Sequence, residues 1–254
     1  MAILDRFRLD GKIAIVTGAS SGLGVAFALA LAEAGADVAV GARRVDRLTD
    51  TKKQIEAMGR RAVAVAVDVT RPEECQYLVD QAVADLGGVD VLVNNAGIGT
   101  ATPASREAPE DFRRVVETNL MGSYWMAQSC GRVMKPGASI INIGSVLGST
   151  TAALPQAAYS ASKAGVIGLT RDLAQQWTGR RGIRVNAIAP GFFITEMTDQ
   201  YEEGYLDLML AQRVPAGRAG ELEECAAAVV FLASEAASYI TGVLLPVDGG
   251  LLTT

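Results

Sequence analysis

The sequence of 254 residues contains no histidine. This absence excludes Ser-His-Asp and Cys-His catalysis, histidine-ligated zinc and proton transfer through imidazole. A general acid or base in this chain must therefore be Asp, Glu, Lys, Tyr or Cys. Cysteine is scarce as well: Cys75, Cys130 and Cys225 lie far apart and form no C-x-x-C pair. We therefore expect neither a disulfide framework nor a metal site.

The sequence also has little excess charge and no long apolar run. Its 23 basic and 28 acidic residues leave a net charge of −5, which does not indicate a nucleic-acid surface or a polybasic membrane patch. The N-terminus has charges spread through it and no apolar core of signal-peptide length. The most apolar run, 226–233, is too short to cross a bilayer. We expect a cytoplasmic protein without nucleic-acid or membrane partners.

Short β-branched runs alternate with helical segments along the whole chain. The runs are almost continuously apolar, as is typical of strands covered on both faces. This alternation predicts an α/β fold: one doubly wound Rossmann domain over residues 1–254, with a central parallel sheet of about seven strands flanked by helices on both faces. The predicted strands are 13–17, 37–41, 63–67, 89–93, 139–143, 183–188 and 243–247, and the predicted helices are 22–34, 45–58, 72–86, 109–134, 156–179 and 221–233.

Residues 192–217 interrupt this alternation with a long excursion between sheet elements. Such a segment is usually a lid or a binding loop, and we predict a substrate lid here. The alternative is a surface helix that packs its apolar stripe on the core, and the stripe consists of Tyr201, Tyr205, Leu208 and Met209.

A glycine-rich turn follows the first predicted strand. It has the spacing G-x-x-x-G-x-G and precedes a predicted helix, whose free N–H groups can bind a pyrophosphate. The turn lacks the Gly-Lys-Ser/Thr of a P-loop, so nucleoside triphosphate hydrolysis is not expected. A purely structural glycine turn is the alternative. The predicted dinucleotide-binding residues are Gly18, Ser20, Ser21, Gly22, Leu23 and Gly24.

The end of the second predicted strand bears on the choice of cofactor. A carboxylate that could bind the ribose 2′-hydroxyl of NAD is missing there, and Arg43 and Arg44 stand where the 2′-phosphate of NADP would lie. This favours NADP(H), while NAD(H) stays possible. The alternative is that both arginines are solvated surface charges. After the next two strands, we expect Asp68 and Val69 to meet the adenine. The residues expected to approach the cofactor riboses are Asn95, Ala96 and Gly97.

Tyr159 and Lys163 are four residues apart in a predicted helix, so both side chains lie on one face. Free tyrosine and lysine have pKa values of about 10 and 10.4, which are too high for efficient acid–base catalysis at neutral pH. An ammonium beside a phenol stabilises the phenolate and lowers the pKa of the tyrosine. The spacing therefore predicts an acid–base pair, although most Y-x-x-x-K pairs are only neighbours on a helix surface.

Several motifs occur together in a characteristic order. The glycine turn is followed by Asn94-Asn95-Ala96-Gly97, then by Ser145 after an apolar strand, and then by Y-x-x-x-K. In this order the chain resembles the short-chain dehydrogenase/reductase family over nearly its whole length, including members similar to 3-oxoacyl-carrier-protein reductases. The resemblance implies a ketoreductase-type enzyme that transfers a hydride between NADP(H) and a carbonyl or secondary alcohol substrate.

The resemblance also implies a role for individual residues. Tyr159 would be the general acid in reduction and the base in oxidation, while Ser145 holds the substrate oxygen. Lys163 would bind the nicotinamide ribose and lower the pKa of Tyr159. Asn119 would distort its helix and hold a water in a proton relay. The family commonly has Val or Ile where this chain has Phe193. The residues that would border the nicotinamide are Pro190, Gly191, Phe193 and Thr195.

The expected substrate pocket is mostly apolar, which favours a neutral, medium-sized hydrophobic ketone or alcohol. The resemblance further implies a homo-oligomer, either a tetramer or a dimer. Two other functions stay open: an NAD-dependent alcohol or polyol dehydrogenase that works in the oxidative direction, and a non-catalytic nucleotide-binding redox sensor. The residues expected to build the substrate pocket, together with the excursion over 195–215, are Gly144, Ser145, Leu147, Leu154, Gln156, Tyr159 and Phe192.

Overall fold

A computed structural model, which describes residues 2–254, contains one seven-stranded sheet in which every neighbouring pair of strands is parallel. The strand order is β3-β2-β1-β4-β5-β6-β7, so the doubly wound α/β prediction is confirmed. The observed ends of the strands differ from the predicted ones by no more than two residues. The strands are β1 (Ile13–Thr17), β2 (Asp37–Ala42), β3 (Ala62–Ala66), β4 (Val91–Asn94), β5 (Ser139–Ile143), β6 (Arg184–Pro190) and β7 (Leu244–Val247).

Helices cover both faces of the sheet, because successive apolar side chains of a strand point to opposite sides. On one face the strands pack against Phe27 and Val229, and on the other against Leu78, Met126 and Leu173. The helices are α1 (Gly22–Glu33), α2 (Val45–Ala57), α3 (Pro72–Leu86), α4 (Pro109–Val116), α5 (Gly122–Val133), α6 (Ala157–Arg181), α7 (Tyr205–Arg213) and α8 (Leu222–Ala233).

The order of the strands reverses between β1 and β4. β1 pairs with β2 on one side and with β4 on the other, so the connections leave their carboxyl ends in opposite directions. Doubly wound sheets bind their ligands in the crevice that this reversal opens. The Asn95 side chain crosses the crevice and donates to the backbone oxygens of Thr17 and Gly18, at 3.0 and 3.2 Å.

The predicted helix over 109–134 is present over residues 109–133, but it is not α-helical throughout. Between α4 and α5, residues Glu117–Met121 form a π-helical turn, in which the Gly122 amide donates to the Glu117 carbonyl five residues earlier. The wider turn holds Asn119, whose own carbonyl accepts from the Ser123 hydroxyl at 2.7 Å. A local distortion at Asn119, as the family resemblance implied, is therefore present.

The excursion over 192–217 contains a 3₁₀ turn, Thr198–Gln200, and then α7. Tyr201, Tyr205 and Met209 pack in one apolar cluster with Phe192. The Tyr205 hydroxyl also donates to the Ala152 carbonyl at 2.5 Å. Met209 is buried in this cluster, whereas Leu208 is 49% exposed, so the apolar stripe packs on the core only in part. Movement of the segment as a lid stays a prediction. Within residues 2–254, no helix is both long and apolar enough to span a membrane.

The packing between α1 and α8 gives a stability prediction. Phe27 is fully buried, so Phe27→Ala should lower the free energy of unfolding by about 3–5 kcal/mol through lost apolar burial and a residual cavity. Urea denaturation followed by circular dichroism measures the change. Phe7, which is partly exposed and stacks on Phe231, is the matched control, and its replacement by Ala should cost about 1 kcal/mol or less. Equal losses for the two variants would contradict the assigned core.

Candidate active site

A cavity of about 740 Å³ opens at the carboxyl ends of the strands. Its wall comes from the loops that follow β1, β2, β3, β4, β5 and β6, so residues far apart in sequence meet there. All the residues predicted to bind the cofactor line it: Gly18, Ser20, Ser21, Gly22, Leu23, Gly24, Arg43, Arg44, Asp68, Val69, Asn95, Ala96, Gly97, Tyr159, Lys163, Pro190, Gly191, Phe193 and Thr195.

The glycine turn has the geometry of an anion-binding loop. Gly18 and Gly22 have φ angles of +67° and +54°, a region that favours glycine. A Cβ on Gly24 would lie 2.2 Å from the Gly18 carbonyl oxygen, so only glycine allows this close backbone approach. The side chain of Ser21, which precedes α1, does not cap the first amides of the helix. Those amides therefore point toward the cavity without a side-chain acceptor and fit a pyrophosphate.

Arg43 and Arg44 lie in the cavity wall but have different neighbours. The Arg44 guanidinium donates to the Ser21 hydroxyl at 2.7 Å and to the Ser20 hydroxyl at 3.2 Å. Arg43 lies near Asp68. Burial opposes the charge on Asp68, but hydrogen bonds from Thr70 and the nearby arginines hold its pKa below the ordinary value. The two arginines thus extend the glycine turn as a positively charged edge of the cavity.

Ser145, Tyr159 and Lys163 converge from two elements. Ser145 follows β5 and is buried, and its hydroxyl accepts from the Leu147 amide at 3.1 Å. Tyr159 and Lys163 lie in the first two turns of α6, and the lysine Nζ is 5.6 Å from the centre of the tyrosine ring. The Lys163 Nζ donates to the Ile143 carbonyl at 2.8 Å, which anchors it beneath the end of β5. The remaining two N–H groups of the ammonium stay available for a ligand.

Burial dominates the ionisation of this group. It raises the pKa of Tyr159 to about 12, although the Ser145 hydroxyl, hydrogen-bonded to the phenol, acts in the opposite direction. It lowers the pKa of Lys163 to about 8. The polypeptide alone therefore does not produce the low tyrosine pKa that the Y-x-x-x-K spacing led us to expect. The Tyr159 phenol is therefore protonated at neutral pH, and the charge of Lys163 is less stable than that of a solvated lysine.

Asn119 lies behind this group rather than in the cavity wall. Its amide accepts from the Ile98 amide and donates to the Ile98 carbonyl, both at 2.9 Å, and it donates to the Ser162 hydroxyl at 3.0 Å. A Cβ placed on Gly97 would be 3.3 Å from the Asn119 oxygen and 3.5 Å from the Lys163 Nζ, so both groups crowd this glycine. Asn119 thus fixes the loop after β4 beside Lys163, and its part in a proton relay stays a prediction.

The expected substrate residues divide into two groups. Gly144, Ser145, Leu147, Tyr159 and Phe192 line the cavity. Leu154 and Gln156 do not: Leu154 is half-buried, while Gln156 is buried at the start of α6 with its Oε1 unpaired. Their contact with substrate stays a prediction.

Phe193 stands where the resemblance led us to expect Val or Ile, and a glycine faces its ring. Its ring packs over Gly220, where an added Cβ would lie 2.4 Å from the ring. Phe193 and Gly220 also form an isolated parallel bridge between the segment after β6 and the chain before α8. The larger side chain is therefore matched by a glycine on the opposite segment.

Other cavity residues were not identified from the sequence. Ile98 and Gly99 follow β4, while Arg114, Glu117 and Thr118 belong to α4 and to the π-helical turn, and these segments carry no local signature of binding. The excursion over 195–215, by contrast, was expected to help build the substrate pocket, and its residues Glu196, Met197, Thr198 and Tyr201 line the cavity.

The three cysteines are buried, and burial raises the pKa of the Cys75 and Cys225 thiols to about 12. They are therefore protonated and unreactive at neutral pH. Among residues 2–254, acidic and cysteine side chains do not form a cluster that could hold a metal ion.

Known proteins resemble this chain in sequence over nearly its full length. A family model described as enoyl-(acyl carrier protein) reductase matches residues 18–252. The 2-dehydro-3-deoxy-D-gluconate 5-dehydrogenase of Escherichia coli K12 is 39% identical, with 98% of this chain and 99% of that protein covered. The 3-oxoacyl-(acyl-carrier-protein) reductase FabG of Vibrio cholerae is 42% identical, with 96% and 98% covered.

Solved structures agree with these matches. A putative short-chain alcohol dehydrogenase from Sinorhizobium meliloti 1021 is 44% identical and has a TM-score of 0.93, with 98% of this chain and 99% of that chain covered. A gluconate 5-dehydrogenase from Burkholderia cenocepacia J2315, in complex with NADP and tartrate, is 35% identical and has a TM-score of 0.92 over the whole of both chains. Sequence, fold and site thus agree that the chain belongs to the short-chain dehydrogenase/reductase family, the nicotinamide-dependent oxidoreductases of alcohol and carbonyl groups.

Proposed function

We propose that this protein transfers a hydride between NADP(H) and a neutral carbonyl or secondary alcohol, with Tyr159 as the general acid and base. The observation that carries the proposal is the meeting of Ser145, Tyr159 and Lys163 in the same cavity as the glycine turn and the arginine edge. A protein that only binds a nucleotide has no need of a partly buried phenol beside a buried ammonium, so the site favours catalysis over redox sensing.

The nicotinamide ring, when bound, supplies or accepts the hydride. The chain holds the substrate oxygen between the hydroxyls of Ser145 and Tyr159 and donates the proton of the phenol to it during reduction. A phenol whose pKa is raised to about 12 keeps that proton until an alkoxide develops, which suits it to the reductive direction. Lys163, anchored on the Ile143 carbonyl, would hold the ribose hydroxyls with its other N–H groups and would stabilise the phenolate that remains.

NADP(H) is favoured by the charges around the turn. Arg43 and Arg44 line the cavity after β2, where a carboxylate for the ribose 2′-hydroxyl is missing. The structural neighbour from Burkholderia cenocepacia binds NADP with the same fold. A phosphate beside two guanidinium groups forms charge-assisted hydrogen bonds that an unphosphorylated ribose cannot form.

The substrate side of the cavity supports an uncharged substrate. Leu147, Phe192 and Tyr201 line it, and they belong to a mostly apolar cluster that includes α7. The basic residues of the cavity wall are Lys163 and three arginines, of which Arg43 and Arg44 are assigned to the cofactor. The segment 192–217 would act as the lid over a substrate bound here, and residues 1–254 would form one domain.

We also propose that the protein forms a homo-oligomer, either a tetramer or a dimer. Phe112 and Met121 are exposed beside α5, and Tyr239 and Val243 are exposed before β7, so apolar side chains are available on two surfaces. Size-exclusion chromatography with light scattering should give two or four times the mass of one chain. A single-chain mass at micromolar concentration would contradict the assembly.

Tyr159→Phe tests the acid–base role. The variant keeps the ring but loses the proton, so kcat for ketone reduction should fall by about 10²–10⁴-fold while the Kd of NADPH changes little. Steady-state absorbance at the nicotinamide band, over a panel of ketones, acyl thioesters and sugars, gives the rates and the substrate class together.

Tyr77→Phe is the matched control, because this tyrosine is exposed on α3, and its kcat should be unchanged. Near-normal turnover of Tyr159→Phe would overturn the assignment.

The pH profiles of the two directions should differ. Alcohol oxidation needs the phenolate, so its kcat/KM should rise with pH between about 6 and 8, approaching tenfold per unit well below the pKa of Tyr159. Ketone reduction needs the neutral phenol and the charged Lys163, whose pKa is lowered to about 8. Reduction should therefore be flat up to about pH 7 and decline as the pH rises through about 8. A reduction rate that increases from pH 8 to 10 would contradict these roles.

Joint replacement of Arg43 and Arg44 by Ala tests the cofactor assignment. Loss of the charge-assisted hydrogen bonds to the phosphate should raise the Kd of NADP⁺ by about 10–100-fold. The Kd of NAD⁺ should stay within about twofold of its original value. Titration calorimetry measures both constants. Lys53→Ala, which removes an exposed charge from the helix that follows them, α2, should change neither Kd. An equal loss for both cofactors would count against a phosphate site.

A further inference from the structure

The arginine edge of the cavity already carries an anion from the protein itself. Glu196 follows β6 and lines the cavity, and its carboxylate accepts from the Arg44 Nη1 at 3.0 Å. The other carboxylate oxygen accepts from the Arg47 Nη1. Arg47 lies one turn further along α2 than Arg44, so the two guanidinium groups hold one carboxylate between them.

This contact joins the two sides of the cavity mouth. Glu196 is separated from Arg44 by 152 residues in sequence, and it connects the segment after β6 to the start of α2. The hydrogen bonds to Arg47 and Arg44 lower the pKa of Glu196 to about 2, so the carboxylate is charged throughout the neutral range. The three side chains are about half exposed. Exposed ion pairs contribute little stability, so a stronger anion can displace the carboxylate.

Arg44 is at the same time the residue assigned to the 2′-phosphate, and its remaining N–H groups donate to Ser20 and Ser21. A carboxylate and a phosphate cannot share these guanidinium groups without repulsion. A cofactor that lacks the phosphate, by contrast, leaves the ion pairs intact. The charge of Glu196 therefore opposes the binding of NADP(H) but not the binding of NAD(H).

We propose that Glu196 is a specificity-determining residue that weakens NADP(H) relative to NAD(H), because it occupies Arg44 and Arg47 and has to leave when the 2′-phosphate binds. Arg47, which lies outside the residues that line the cavity, becomes a second phosphate ligand once the carboxylate has left. The inference rests on the proposed phosphate role of Arg44.

Glu196→Gln tests the proposal by binding alone. The substitution keeps the size of the side chain and removes the competing charge, so the Kd of NADP⁺ should fall by about three- to tenfold. The Kd of NAD⁺ should stay within about twofold, because no phosphate competes with the carboxylate. Titration calorimetry of the intact protein at low ionic strength measures both constants, and added salt should reduce the difference.

Glu203→Gln is the matched control. It removes the same charge from the same segment after β6, but Glu203 is exposed and lies outside the cavity wall. Both Kd values should therefore be unchanged. To test Arg47, the double variant Glu196→Gln/Arg47→Ala should bind NADP⁺ more weakly than Glu196→Gln, since the second phosphate ligand is lost.

Each alternative result has a defined meaning. If Glu196→Gln changes the Kd values of both cofactors by the same factor, or changes neither, the inference is overturned. A selective increase in the Kd of NAD⁺ also overturns it, and would make Glu196 an acceptor for the ribose hydroxyls. If the joint Arg43 and Arg44 variant weakens NADP⁺ selectively while Glu196→Gln has no effect, only this inference fails. If the arginine variant lacks selectivity as well, the proposed phosphate site fails with it.

Discussion

The burial of one ammonium beside one phenol is the constraint on which the site depends. Lys163 is only 4% exposed, so its charge is stabilised chiefly by the Ile143 carbonyl at the end of β5. Desolvation moves the pKa values of Lys163 and Tyr159 in opposite directions: it keeps the phenol protonated and makes the ammonium lose its proton more readily than a solvated lysine. The π-helical turn places Asn119 and the loop after β4 against the same lysine. This local irregularity of the backbone therefore helps to bury the Lys163 ammonium.

Close backbone approach is the second constraint, and it acts on the cofactor side. Gly18 and Gly24 are in contact because neither has a side chain, and Asn95 holds the loop after β4 against the same carbonyls. The reversal of strand order brings these segments together. A single cavity can therefore contain both an anion-binding helix end and an acid–base pair, although one belongs to α1 and the other to α6.

Electrostatic contacts across the cavity mouth were beyond the reach of sequence analysis. Arg44 and Glu196 are 152 residues apart, and their pairing depends on where the chain after β6 crosses α2. The same limit applies to Leu154 and Gln156, which are close in sequence to Tyr159 yet lie outside the cavity wall. The raised pKa of Tyr159 is also a property of the fold. The Y-x-x-x-K spacing indicates that a charged lysine is nearby, but it does not indicate how far the tyrosine is desolvated.

The sequence by itself determined the alternation of strands and helices, the glycine turn, the arginines after β2 and the tyrosine–lysine spacing. These features are local: hydrophobic periodicity, permitted φ angles and side-chain spacing on a helix are set by neighbouring residues. Tertiary structure alone decided which predicted residues share the cavity, how deeply Tyr159 and Lys163 are buried, and that Glu196 meets Arg44 and Arg47. Desolvation and charge pairing depend on atoms brought together from distant parts of the chain, and no local pattern contains them.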